Sequence, residues 1–129
     1  MELLLDTHAF IWFINGDSQL PEKTIEKIKD IKVKCFVSVA SIWEIAIKMS
    51  LGKLELNGGF DDLSRLMKKY DIEVLPISFE HIQKLINLEF HHRDPFDRII
   101  ICQSLVERFT IVSKDENFPK YKVKIMWNK

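Results

Sequence analysis

The chain has 129 residues, the usual size of a single compact domain, and 47% of them are hydrophobic while 29% are charged. This balance, with only four Gly and four Pro, excludes disordered, collagen-like and low-complexity classes. Nineteen Lys and Arg residues offset nineteen Asp and Glu residues, so the formal net charge is zero. Because a protein that simply coats nucleic acid carries a basic excess, contact with a polyanion would require local patches or bound cations. We expect one domain over residues 1–129.

The cysteines and the N-terminal segment predict the cellular compartment of the protein. Cys35 and Cys102 lie in apolar runs without a second Cys or a nearby His at zinc-finger spacing, so we expect buried thiols in a reducing compartment. The N-terminal segment is acidic where a signal peptide is basic, and no uncharged stretch reaches the ~18 residues that a membrane span requires. These features predict a cytoplasmic protein that has no contact with a membrane.

Short apolar runs alternate with longer amphipathic segments along the chain. The runs predict strands at 2–5, 35–38, 72–75 and 110–113, and a fifth in the alternation of Val123, Ile125 and Trp127. The intervening segments predict helices at 7–14, 21–31, 41–49, 60–70, 78–88 and 94–106. Thr7 and Ser78 are predicted to cap their helices, and Ser38 and Ser41 are alternative caps for the third helix.

Strands that alternate with helices of this length indicate βαβ units. The sequence therefore predicts the α/β class, with a mostly parallel sheet and helices on both of its faces. In such sheets, ligands bind outside the carboxyl ends of the strands, where loops and helix N-termini converge. Residues at that edge are the candidates for function.

Five acidic residues from four separate segments are predicted to meet at this edge. Asp6 ends the first strand, Glu44 lies early in the third helix, Asp94 and Asp97 open the last helix, and Asp115 follows the fourth strand. The last helix runs antiparallel to the strands, so its N-terminus lies where the strands end. Clustered carboxylates repel one another unless protons or cations intervene. The pattern predicts a cation site.

The donor set of this site consists of oxygen atoms alone, which favours Mg²⁺ or Mn²⁺ completed by substrate phosphates. Phosphodiester chemistry would then use one or two ions to activate a water and to stabilise the leaving oxygen. Each acid also has a structural alternative, weakest for Asp6, because packing explains an isolated Asp after an apolar strand poorly. Glu44 completes a Ser41-x-x-Glu capping box, Asp94 and Asp97 suit a helix start, and Asp115 suits an Asx-turn.

Four sequence blocks carry a family resemblance over nearly the whole chain. They are LLLDTHAFIW at 3–12, SVASIWEIAIK at 38–48, RDPFDR at 93–98 and TIVSKDENF at 110–118. In this order and at these separations they resemble PIN-domain proteins of the VapC toxin type. The resemblance implies a three-layer α/β/α sandwich and a Mg²⁺-dependent endoribonuclease. It also implies the toxin of a toxin–antitoxin pair, which a small cognate antitoxin neutralises.

The resemblance assigns the catalytic and metal-binding positions to four acids: Asp6, Glu44, Asp97 and Asp115. Within the third block, Asp97 matches the family's acid better than Asp94, which is an additional carboxylate nearby. Thr7 and Ser113 match positions that often carry a hydroxyl beside the metals.

The remaining polar candidates have two interpretations each. His91 and His92 are adjacent in a loop, where side chains rarely point the same way, so we expect solvent-exposed structure rather than metal ligation. Lys48 lies one turn after Glu44, and either pairs with it or contacts phosphate. Arg98 either anchors its helix or grips phosphate. The C-terminal segment is locally basic, which suits an RNA backbone and also an ordinary solvated edge.

The first helix carries five large apolar residues in succession, at positions 10–14. Because they cover more than one face, we expect part of the helix to be covered by a second copy of the chain or by a partner segment. This predicts a homodimer and an antitoxin segment that docks near the first helices, with Trp12 as a contact residue.

Two other functions compete with a nuclease. A receiver-type phosphoacceptor domain also places acids at strand ends, but the third strand ends at Leu75-Pro76 and supplies no mid-sheet Asp. A PIN fold that has become a non-catalytic binding module is the other alternative, and the presence of all four acids argues against it.

Overall fold

A computed structural model describes all residues, 1–129, as five strands and six α-helices. The strands are β1 (Glu2–Leu5), β2 (Lys34–Ser38), β3 (Ile72–Leu75), β4 (Thr110–Val112) and β5 (Ile125–Met126). The helices are α1 (Thr7–Asn15), α2 (Glu22–Lys29), α3 (Val39–Ser50), α4 (Leu63–Lys69), α5 (Phe79–Ile86) and α6 (Pro95–Glu107). Two 3₁₀ turns lie at Phe60–Asp62 and Phe118–Tyr121.

The sheet has the order β3-β2-β1-β4-β5, and every neighbouring pair is parallel. The chain begins in the middle of the sheet, builds outward through β2 and β3, and then returns to build the other half. The direction of winding therefore changes between β1 and β4, which is where α/β sheets open a crevice for ligands. This order differs from the 2-1-3-4-5 arrangement of receiver domains, so the receiver alternative does not fit.

Alternate residues of the central strands face two separate cores, because successive side chains of a strand point to opposite faces. Leu3 and Leu5 pack into the larger core with residues of α1, α2, α3 and α4. Leu4 and Ile111 face the other side, where Ile100 and Ile101 of α6 cover the sheet. Helices on both faces confirm the three-layer α/β/α sandwich.

The structure corrects one predicted cap and chooses between two others. Asp6, rather than Thr7, caps α1, because its backbone is extended and its Oδ1 accepts the amide of Ala9 at 2.8 Å. Ser38 caps α3, and its Oγ accepts the amide of Ala40 at 3.0 Å. The alternative capping box between Ser41 and Glu44 is therefore absent.

The remaining predicted helices and strands are found, with changes at their ends. The helix predicted at 60–70 is a 3₁₀ turn followed by α4, and the turn at Phe118–Tyr121 was not expected. Ser78 caps α5 as predicted, and His81 completes the capping box by accepting the amide of Ser78.

The expectation that the first helix leaves apolar rings in water is wrong. Phe10, Ile11, Phe13 and Ile14 are all buried, with 9% or less of their surface exposed. Trp12 is half-buried between the rings of His8 and Trp127, and Phe13 packs edge-on against Tyr70 at a ring distance of 5.0 Å. Other segments of the chain cover four of the five apolar residues and part of Trp12, so the apolar excess is internal packing and gives no support for a dimer.

Both cysteines are free and buried, as predicted, and burial raises the pKa of each thiol to about 11. None of the helices combines the length and hydropathy needed to cross a bilayer.

Candidate metal centre

Asp6 lies at the carboxyl end of the central strand, with only 4% of its surface exposed. Its amide donates to the carbonyl of Val112 at 3.1 Å, which continues the pairing of β1 with β4 by one residue. Burial raises the pKa of the Asp6 carboxyl from 3.8 to about 6, and the charge of Asp115 acts in the same direction. The Ser113 hydroxyl, the amide of Ala9 and the charge of His8 oppose this shift. A carboxylate this deeply buried is costly unless a cation or a proton accompanies it.

Glu44 is buried on α3, one and a half turns from the cap at Ser38. Its Oε2 forms an ion pair with Lys48 at 3.0 Å, so the i,i+4 interpretation of Lys48 holds. Its Oε1 is buried and has no hydrogen-bond partner. A buried carboxylate oxygen without a partner is rare in folded proteins, and a cation bound beside it would satisfy it.

Asp97 lies in the first turn of α6 and is one-fifth exposed. Burial is the largest cause that raises the pKa of its carboxyl from 3.8 to about 8, and the charges of Asp94, Asp115, Asp6 and Glu44 add to it. Electrostatic coupling to four other acids places these groups in one neighbourhood, as the sequence predicted. Asp94 itself is the N-cap of α6, and its Oδ1 accepts the amide of Asp97 at 3.0 Å.

Asp115 follows β4 and forms the Asx-turn that was its structural alternative. Its Oδ1 accepts the amide of Asn117 at 2.8 Å, and its own amide donates to the Ser113 hydroxyl at 3.0 Å. These two bonds fix the carboxyl beside Asp6, with which it shares a pocket of about 270 Å³. Asp115 can therefore form the Asx-turn and belong to the acidic cluster at the same time.

The two predicted hydroxyls differ in what they contact. Ser113 lies between Asp6 and Asp115, the two acids at the change of winding. Thr7 is buried and shares a hydrogen bond of 2.8 Å with the Ser41 hydroxyl, so it joins the start of α1 to α3.

His8, which is not among the predicted site residues, lines the pocket together with Asp6, Trp12, Lys114 and Asp115. The signal was available, because His8 is the one polar residue between Thr7 and Asn15 in an otherwise apolar helix. His8 and Lys114 bring positive or ionisable groups to the same opening as the acids. A larger cavity of about 520 Å³ lies elsewhere, against the edge strand β3 and α4.

The loop before α6 also differs from expectation. His92 is not an exposed loop residue: its ring is half-buried and lies 3.2 Å from an oxygen of Asp97. His91 turns away and contacts Glu89 at 3.1 Å. Arg98 is buried and donates to the carbonyls of Glu89 and Leu88, so it anchors this loop.

The residues present suit a hard divalent cation. The acidic cluster supplies only oxygen ligands, and the unpaired Oε1 of Glu44 and the raised pKa of Asp97 both call for a positive charge. No group of three or more His, Cys, Asp or Glu side chains closes around a single point. As placed, the acids therefore do not form a complete coordination sphere from protein side chains alone.

The model of the PIN domain matches residues 3–124, nearly the whole chain. The chain belongs to the PIN domain family. Among curated proteins, no sequence matches this PIN domain significantly.

Several solved structures similar to this PIN domain are VapBC structures. VapBC-1 from nontypeable Haemophilus influenzae superposes with a TM-score of 0.76 at 15% identity and full coverage of both chains. VapBC2 from Rickettsia felis, bound to a DNA fragment from its promoter, gives 0.74 at 14% identity, over 99% of this chain and 100% of that one. VapBC-5 from Mycobacterium tuberculosis gives 0.63 at 17% identity, over 98% of both chains. At these identities the likeness establishes a shared fold.

The raised pKa of Asp97 predicts how the stability of the metal-free domain depends on pH. The folded chain keeps this proton up to about pH 8, whereas the unfolded chain releases it near 3.8, so the folded state binds more protons between these values. The free energy of unfolding contributed by Asp97 is therefore lost as the pH rises through this window. We expect Asp97→Asn, which cannot ionise, to melt at a higher temperature than the wild type at pH 8 and at a similar temperature at pH 4.

Thermal melts in EDTA measure this difference, with Asp61→Asn as the control, since Asp61 is an exposed acid outside the cluster. Equal melting temperatures of Asp97→Asn and wild type at pH 8 would contradict the assignment.

Proposed function

We propose that this PIN domain is a Mg²⁺-dependent endoribonuclease, the toxin of a toxin–antitoxin pair, and that the 129-residue chain acts as one nuclease domain. The observation that carries the proposal is the coupling of Asp6, Glu44, Asp97 and Asp115 at the change of winding. Mn²⁺ would substitute for Mg²⁺, because both prefer oxygen ligands and octahedral geometry.

The four acids have distinct parts in the proposed site. Asp6 and Asp97 are the central ligands, since burial penalises the negative charge of both carboxyls and a bound cation would offset that penalty. Glu44 would offer its unpaired Oε1, and Asp115 its second oxygen, to the same ion or to its waters. These acids would hold a cation whose chemistry would be to lower the pKa of a bound water and to neutralise charge on the phosphodiester.

The rim of the pocket provides the groups that bind the RNA backbone. Lys114 and His8 lie beside Asp6 and Asp115, so a phosphate that approaches the acids meets positive charge first. A local basic rim reconciles RNA binding with a net charge of zero. The half-buried ring of Trp12 forms one wall of the same pocket.

The partners in this proposal are an RNA substrate, a cognate antitoxin and a second copy of the chain. Several of the similar structures are VapBC structures and another is a toxin–antitoxin complex from Klebsiella pneumoniae, which supports an antitoxin for this chain as well. An antitoxin segment that enters the pocket would contact Trp12 and cover Asp6. Such a segment would block both the cation and the RNA.

The first test is RNA cleavage by Asp6→Asn. Asn caps helices as well as Asp does, so the fold should be retained, whereas loss of the central ligand should lower the cleavage rate by about two orders of magnitude or more. Purified protein without its partner is incubated with total RNA, with Mg²⁺ or with excess EDTA, and the fragment ends are sequenced. Asp30→Asn is a matched control, because Asp30 also accepts a local amide but lies at the opposite edge of the sheet.

Cleavage by the wild type in EDTA, or full activity of Asp6→Asn, would refute the metal mechanism. A folded wild type that binds RNA but never cleaves it would instead indicate the non-catalytic binding module.

The second test separates a capping acid from a ligating acid. Asp94→Ser keeps an N-cap on α6 and removes only a nearby charge, so it should retain most of the activity and nearly all of the stability. Asp97→Asn should abolish turnover, because it removes a metal ligand. Melting temperatures and cleavage rates of the two variants are compared. An inactive Asp94→Ser beside an active Asp97→Asn would reverse the assignment.

We place the interface of the proposed homodimer on α5 rather than on the first helix. Phe79, Ile82 and Ile86 form an exposed apolar stripe along α5, with 80%, 51% and 80% of their surfaces in water. A stripe of this kind is unusual on a monomer and suits a symmetric helix contact.

We expect light scattering to show that the wild type is a dimer and that Ile82→Asp is a monomer. Leu51→Asp, at an equally exposed apolar residue outside α5, should stay dimeric, and a monomeric wild type would end the proposal.

A further inference from the structure

The hydroxyl of Tyr121 sits at the centre of a hydrogen-bonded group beside the acidic cluster. Tyr121 is buried in the 3₁₀ turn after β4. Its oxygen lies 3.1 Å from the backbone nitrogens of His91 and His92 and 3.1 Å from Nη1 of Arg98. All three of these nitrogens are donors without acceptor capacity. The oxygen of Tyr121 is therefore occupied as an acceptor.

The single hydrogen of this hydroxyl must then point to an acceptor. Two are within reach: Nδ1 of His92 at 2.8 Å and the carbonyl of the same residue at 3.5 Å. The shorter contact has the usual length of a strong hydrogen bond, and the longer one lies at the limit. Tyr121 therefore donates to Nδ1 of His92. A neutral imidazole whose Nδ1 accepts carries its own hydrogen on Nε2.

The other ring nitrogen of His92 faces the acidic cluster. Nε2 lies 3.2 Å from Oδ2 of Asp97 and, in this tautomer, donates to it. The amide of Asp97 already donates to Asp94, so both the backbone and the side chain of Asp97 are held. With Oδ2 accepting from His92, the proton that the metal-free carboxyl keeps lies on Oδ1, and this oxygen is left for a cation that displaces the proton.

The loop that carries His92 is held rigidly. Arg98 donates to the carbonyls of Glu89 at 2.8 Å and Leu88 at 3.2 Å, and its guanidinium stacks on the ring of Phe90 at 3.9 Å. Together with the two amides that Tyr121 accepts, these contacts fix the backbone on both sides of His91. The ring of His92 therefore has a defined position, whereas the neighbouring ring of His91 contacts the exposed side chain of Glu89.

We propose that His92, locked in one tautomer by the Tyr121 hydroxyl, is a positioning residue that orients the Asp97 carboxylate toward a divalent cation. The inference rests on the proposed metal-dependent function. Groups that hydrogen-bond to metal-binding side chains commonly orient them, and their loss lowers metal affinity by about 10- to 100-fold. Here, successive hydrogen bonds link Arg98 to Tyr121, Tyr121 to His92, and His92 to Asp97. They connect the Asp97 carboxyl to the buried part of the domain.

The tautomer is tested in the metal-free protein, without reference to activity. Two-dimensional ¹⁵N–¹H NMR of histidine-labelled protein distinguishes a protonated from an unprotonated ring nitrogen, and the signals of His92 are assigned by their loss in His92→Gln. We expect His92 with a proton on Nε2 and none on Nδ1. In Tyr121→Phe, which keeps the aromatic ring and removes only the hydroxyl, the preference should be lost. A proton on Nδ1 of the wild type would overturn the inference.

Cation binding is measured with Mn²⁺ alone, by electron paramagnetic resonance of the free ion. We expect His92→Phe to bind Mn²⁺ about 10- to 100-fold more weakly than the wild type. His92→Gln should recover part of the affinity, because the amide nitrogen of Gln can donate from a position close to that of Nε2. His91→Phe is the matched control and should bind like the wild type. Melting curves show which variants are folded, and Tyr121→Phe provides a second route to the same loss.

The outcomes separate this inference from the proposed function. If the wild type cleaves RNA and binds Mn²⁺ while folded His92→Phe and Tyr121→Phe bind it equally well, the positioning role is wrong and the nuclease stands. If the wild type neither binds Mn²⁺ nor cleaves RNA, the proposed function and the cation role fall together, and the NMR result still decides the hydrogen bond.

Discussion

Repulsion among carboxylates gathered at one edge of the sheet is the constraint on which the arrangement of this domain depends. The effect of this repulsion is clearest at Asp97, where the charges of four other acids add to burial in raising the pKa of the carboxyl. A fold stable without a cation must hold these groups in place against that repulsion. It does so with local bonds, each of which ties an acid to its own segment.

The acids at this edge also have structural roles. Asp6 caps α1 and Asp94 caps α6, while Asp115 closes an Asx-turn. Glu44 is balanced by Lys48, one turn along the same helix. Because each carboxylate has two oxygens, one can hold the local structure while the other remains free for a ligand. Capping and ligation are therefore compatible functions of the same residue, and a capping role does not argue against a catalytic one.

The topology explains why these segments meet. All five strands are parallel, so their carboxyl ends share one edge, and the central position of β1 puts Asp6 between the two halves of the sheet. The N-terminus of α6 reaches the same edge because this helix leads back to the start of β4. The hydroxyls of Ser113 and Tyr121 then connect the edge to its supporting loops.

The sequence by itself determined the α/β class, the order of strands and helices, and the acids that lie together. Hydrophobic periodicity shows which face of each segment is buried. Asp6, Asp97 and Asp115 could be found because they lie at the ends of strands or at the start of a helix. Local pattern also fixed the capping role of Ser78, whose partners are three residues away.

Only the tertiary structure decided which contacts form between distant segments. Cover for Phe13 and Trp12 on α1 comes from Tyr70 and Trp127, which lie far along the chain, so an apolar run alone could not distinguish a covered helix from an exposed one. Local sequence predicts an exposed loop residue at His92, because its partner Tyr121 is 29 positions away, in a turn that the sequence does not predict. A hydrogen bond between such residues leaves no periodicity in the sequence, since it depends on the packing that brings their segments together.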